Sequence, residues 1–123
     1  MHLPREEFER LVEEAIGDLP AEFAEKLDNV EFLVEDQPTP DDYRARGVPP
    51  GQLLLGVYRG VPLTQRSVFA SALMPDRIVI YQRPIEQLCY TRRQIVRQVR
   101  RTVLHEIAHH FGIDERRVRE LGY

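Results

Sequence analysis

At 123 residues, 42% of them hydrophobic, the chain has material for one modest core and not for two ordinary domains, so residues 1–123 read as a single domain. A net charge of −3 argues against a polyanionic partner such as nucleic acid, and the single cysteine, Cys89, excludes an internal disulfide framework. No stretch approaches the roughly 20 apolar residues of a membrane helix, and the opening Met1-His2-Leu3-Pro4-Arg5-Glu6-Glu7 lacks the basic start and apolar run of a signal peptide. A cytoplasmic protein of bacterial type, with no membrane partner, fits these facts.

The charge is unevenly spread. The first third is acidic from Glu6 through Asp42, and the last third carries Arg92, Arg93, Arg97, Arg100, Arg101, Arg116, Arg117 and Arg119. The simplest account is that the two parts pair with each other.

In chain order, Phe8, Leu11, Val12, Ala15 and Ile16 recur at helical spacing. They predict a helix from about Pro4 to Ile16, with Gly17 as its stop. A second short helix follows Pro20, with Phe23 and Leu27 inward. Val30 to Glu35 alternates as a strand. From Asp36 to Gly51 the density of Pro38, Pro40, Gly47, Pro49, Pro50 and Gly51 predicts a long loop without a regular element. Leu53 to Tyr58 reads as a second strand, Gly60 to Ser67 as a turn-rich connection, and Arg77 to Gln82 as the clearest strand. Pro84 stops that strand, and Pro84 to Leu88 has room for one helical turn.

Thr91 opens the major helix, with Gln94 at capping-box distance. Ile95, Val96, Val99, Val103, Leu104, Ile107, Ala108 and Phe111 give this helix a broad apolar side, so it belongs at the centre of the domain, packed under the sheet. Gly112 ends it. A last helix runs from about Glu115 to Leu121, with Asp114 placed to cap it.

The late turns of the major helix carry His105-Glu106-Ile107-Ala108-His109. Two histidines four residues apart put their imidazoles on one helix face, where they can share one Zn²⁺. Glu106 follows the first histidine and lies beside the metal rather than on it, placed to take a proton from the metal's water. Catalytic zinc ordinarily has a third protein ligand. The candidates behind His109 are Asp114, Glu115 and Glu120. Glu115 is favoured, because in His105-Glu106-x-x-His109-x-x-Gly112-x-x-Glu115 it stands where metzincins have their third histidine. Asp114 is the alternative, with a competing task as helix cap. His110 points about 100° away from His109 and does not join the same metal. Tyr81, Tyr90 and Tyr123 are weaker candidates for oxyanion donors, and Arg97, Arg100 and Arg101 for binding a substrate carboxylate.

The stretch from His105 to Glu115 resembles the minimal zincin-like metallopeptidases of bacteria. So do the segment Leu54-Leu55-Gly56-Val57-Tyr58-Arg59-Gly60-Val61-Pro62-Leu63 and the strand Ile78-Val79-Ile80-Tyr81. The resemblance covers nearly the whole chain. It implies an α+β zincin core, a small sheet packed on a central active-site helix, and a zinc peptidase activity. His105 and His109 then carry over as ligands, Glu106 as base and Glu115 as the acidic third ligand. The third histidine of metzincins is absent, and Met1 and Met74 both precede the helix, so there is no methionine turn beneath the metal.

The expected function is hydrolysis of a peptide or flexible protein segment, laid as an added strand along Leu53–Tyr58 or Ile78–Gln82. The competing reading is a non-catalytic zincin-like module that binds metal and acts through its arginine-rich last third.

Overall fold

In the computed structural model, residues 1–49, 51–60 and 75–123 are described. Helix α1 (Arg5–Gly17) and the short α2 (Ala21–Ala24), continued by a 3-10 turn at Glu25–Leu27, precede strand β1 (Val30–Glu35). Helix α3 (Pro40–Arg46), strands β2 (Gly56–Arg59) and β3 (Asp76–Tyr81), and helices α4 (Gln82–Leu88), α5 (Arg92–Phe111) and α6 (Glu115–Glu120) follow. The expected turn over Gly60–Ser67 lies, beyond Gly60, outside the described residues, as do Pro50 and Met74.

The strands form one sheet in the order β1-β3-β2, with β3 parallel to β1 and antiparallel to β2. The apolar run of β3 explains its central place, since a strand covered on both faces must be hydrophobic on both. Ile78 and Ile80 face the main core, with Phe8, Val12 and Ala15 of α1 and Ile95, Val99, Val103, Leu104 and Ile107 of α5. Val79 and Tyr81 face the other way and pack with Leu54 and Val57 under Tyr43 of α3 and Val48 just beyond it. The protein is thus an α+β fold, with α5 under the sheet and the small α3 over it.

Helix α5 begins as its sequence predicts, with the Thr91 hydroxyl accepting from the Gln94 N–H at 3.1 Å. The reciprocal half of the cap shifts by one residue, because the Gln94 side-chain carbonyl accepts from the N–H of Tyr90 and not of Thr91. At the other end Gly112 sits at φ 69°, and both its N–H and that of Ile113 donate to the Ala108 carbonyl. A residue with a Cβ would strain this left-handed stop.

Two expectations need correction. The loop from Asp36 to Gly51 contains α3. Its Pro40 occupies the first helical turn, and Thr39 and Asp42 form a reciprocal capping box. Gly47 closes the helix at φ 66°, so the residues that looked like breakers mark its two boundaries. Strand addition along Ile78–Gln82 is also excluded, because β3 is paired on both sides, with β1 and β2 outermost among the described strands.

Candidate metal centre

Sheet register decides what lies beside the histidine helix. The Tyr81 N–H donates to the Leu55 carbonyl, so on β2 the residues Val57 and Arg59 turn their polar groups toward β3. Gly56 and Tyr58 turn theirs away from β3, and there the Tyr58 N–H donates to Glu106 Oε2 at 3.2 Å. The sheet edge comes this close to α5 because of Gly56. A Cβ there would stand 2.9 Å from both Thr102 Cγ2 and the Val79 carbonyl oxygen.

Glu106 is 7% exposed. Burial pushes its pKa up, opposed by Arg46, by the Tyr58 N–H and by His109 and His105. The Arg46 guanidinium reaches Glu106 Oε1 at 2.8 Å, so both carboxylate oxygens are held. Arg46 is a residue that sequence reasoning missed. It comes from the last turn of α3, and the Thr39–Asp42 capping box was the available signal for that helix. A second network ties α3 to the sheet, because Arg59 donates to Asp42 at 2.8 Å and to the Tyr81 hydroxyl at 3.2 Å.

His105 and His109 lie one turn apart on α5, with His105 half-buried and His109 exposed. The Nδ1 of His105 is 2.6 Å from the Glu115 carboxylate and its Nε2 is 3.1 Å from the Tyr123 backbone oxygen. The structure therefore sets Glu115 against His105, with Glu106 beside it on α5. Asp114 is engaged elsewhere, capping α6 through the Arg116 N–H at 2.8 Å. Glu120 pairs with Arg117. His110 turns away as its angle requires and stacks on the Tyr58 ring with centroids 3.7 Å apart.

The donor chemistry fits zinc at two positions, both imidazoles on one helix face. A carboxylate on the Nδ1 of His105 is the arrangement that fixes a histidine so that Nε2 can serve a metal. The third position is not assembled: among the described residues no three His, Cys, Asp or Glu side chains converge into a group that could hold a metal ion. Metal binding at His105 would have to displace the Tyr123 contact.

The weaker candidates divide. The Tyr81 hydroxyl belongs to the Arg59 network, where burial raises its pKa despite the nearby Arg59 guanidinium. Tyr90 is exposed, and the Tyr123 hydroxyl accepts from Arg100 at 3.2 Å. Arg100 also holds the Ala15 carbonyl and pairs with Asp18. Arg97 donates to the Gly122 carbonyl at 2.6 Å and lies over the Tyr123 ring. Arg101 is exposed and lines a groove beside His105. Among the described residues no helix is long and apolar enough to cross a membrane.

No curated protein matches the chain. A solved structure, a conserved hypothetical protein from Thermo thermophilus, is similar over 89% of this chain and 94% of that one, at 26% identity and a TM-score of 0.57. The model of the zincin-like metallopeptidase family matches residues 27–123, a span that includes the sheet, α3 and the whole histidine helix. The chain belongs to the zincin-like metallopeptidase family.

Proposed function

We propose that the protein is a zinc-dependent peptidase that hydrolyses an extended peptide or flexible protein segment laid along the side of β2 that faces away from β3. One observation carries this reading. The buried carboxylate of the histidine motif is bonded to the N–H of Tyr58 on that side, so the general base and the strand that would receive a substrate are already in contact.

Zinc, when bound, would polarise the peptide carbonyl and make the attacking water more acidic. His105 and His109 are its ligands in this proposal. Glu115 is the acidic third ligand, reached from its present hydrogen bond to His105. Glu106 takes the proton of the attacking water on its carboxylate and delivers it to the amide nitrogen as the C–N bond breaks. Arg46 opposes the rise in pKa that burial imposes on that carboxylate and must yield Oε1 when water enters. The N–H and carbonyl of Gly56, which face away from β3, hold the substrate backbone extended.

Metal analysis of the purified protein and cleavage of a broad peptide library by wild type and Glu106→Ala test the proposal. Zinc in both, with cleavage by wild type alone, is expected. Absence of zinc under metal-replete conditions, or cleavage unchanged in Glu106→Ala, would overturn it.

A further inference from the structure

The groove beside His105 has a charge that its peptide-binding role does not require. It encloses about 330 Å³ between the segment Leu54–Gly56 and the face of α5 that carries Arg101, His105 and Glu106. An adjoining groove of about 360 Å³ shares Leu88 and Arg101 and continues along the same helix to Arg97. Glu106 is the only acidic side chain on either wall among the described residues, and it is paired with Arg46. Arg97 and Arg100 are spent on the Gly122 and Ala15 carbonyls and on Tyr123. Arg101 is the guanidinium of this face that has no such partner among the described residues, and it is exposed.

We infer that Arg101 selects substrates with an acidic side chain two residues from the bond to be cleaved. The register follows from helix and strand geometry. Arg101 precedes His105 by four residues, which at the rise of an α-helix is about 6 Å. An extended peptide covers that distance in about two residues. The exposed Leu88 and the buried Leu54 give the remainder of the groove an apolar character. The occupant is therefore an extended peptide with apolar and acidic residues interleaved. The placement of a peptide here rests on the peptidase reading, and the charge selection rests on Arg101 and the lack of unpaired acidic side chains on the walls among the described residues.

The test reads binding rather than turnover. Fluorescein-labelled decapeptides of alternating leucine and aspartate, leucine and serine, or leucine and lysine are titrated against the metal-free protein, in which Glu106 still pairs with Arg46, with anisotropy as the signal. The aspartate peptide is expected to bind about fivefold more tightly than the serine peptide, the upper end for one solvent-accessible charge pair. The preference should vanish in Arg101→Ala, invert toward the lysine peptide in Arg101→Glu, and weaken with salt. Equal affinities, no binding by any of the three, or a preference unchanged in Arg101→Glu would overturn the inference. Acid-selective binding with no cleavage by wild type would instead refute the peptidase reading and leave the charge selection standing.

Discussion

Replacing Arg46 by alanine leaves the Glu106 carboxylate buried without its counter-ion. The two groups are 2.8 Å apart, with the Arg46 side chain 30% exposed and that of Glu106 9% exposed. At an effective dielectric of ~20, two unit charges at that distance attract by about 6 kcal/mol, most of which offsets the cost of taking them from water. Breaking such a pair from one side costs about 3–5 kcal/mol when it is fully buried, and the partial exposure of Arg46 brings the expected loss to about 2–3 kcal/mol. Urea unfolding of metal-free wild type, Arg46→Ala, Glu106→Gln and the double variant isolates the coupling, expected at about 1.5 kcal/mol or more. The pH dependence gives a second signature. A carboxyl with a raised pKa binds more protons in the folded than in the unfolded chain, so its cost grows as pH rises above the ordinary value of 4.5 toward the folded one. Without Arg46 that cost increases, so the Arg46→Ala deficit should widen with pH across this window and stay flat in the double variant. A coupling below about 0.5 kcal/mol, or a deficit independent of pH, would refute the ion pair as the element that holds α3 against the histidine helix.

Other perturbations follow from the same geometry. Gly56→Ala puts a methyl 2.9 Å from the Val79 carbonyl oxygen and should cost about 1–3 kcal/mol in thermal or urea unfolding; a neutral effect would mean that β2 is not pressed against α5. Burial alone would raise the pKa of Asp42, but hydrogen bonds from the Thr39 N–H and from Arg59 outweigh it and hold the carboxyl below its ordinary 3.8. Its contribution is present above pH 3.8 and is lost as pH falls through the lower folded value. The stability gap between wild type and Asp42→Asn should therefore close in acid, and a gap constant with pH would contradict the network. Glu115→Gln, which removes the carboxylate that holds His105 Nδ1, should weaken zinc binding about 10- to 100-fold, measured by competition with a chromophoric chelator. Unchanged affinity would remove Glu115 from the metal centre altogether.

The sequence carried the helix α5 and its motif clearly, because a 3.6-residue apolar period, a threonine cap and a closing glycine all agree there. The strands were legible for a similar reason, though β2 begins later than its apolar run does. What was not legible is α3 and the part it plays at the site. Pro40 and Gly47 signal a loop when counted and a helix when placed, at the first turn and the stop, and that placement depends on noticing Thr39 and Asp42 three apart. The short helix has no buried residue of its own, so no hydrophobic period announces it. Its contacts are long-range and polar, Arg46 to Glu106 and Asp42 to Arg59. Such pairs leave no local pattern in a chain with 17 basic and 20 acidic residues. Sheet order was hidden likewise, and with it the fact that β3 is central and β2 outermost among the described strands. For Glu115 the spacing suggested a metal ligand behind Gly112, and the hydrogen bond to His105 Nδ1 is a detail that spacing alone does not convey.

The measurement that bears most directly on the account is zinc stoichiometry by mass spectrometry of the intact protein under non-denaturing conditions, for wild type and His109→Ala. His109 is exposed and outside the core, so its replacement should leave the fold intact. The account predicts one zinc per wild-type chain and none retained by the variant. A wild-type chain that holds no zinc, or a variant that holds it as firmly as wild type, would contradict the metal centre on which the proposed peptidase activity depends.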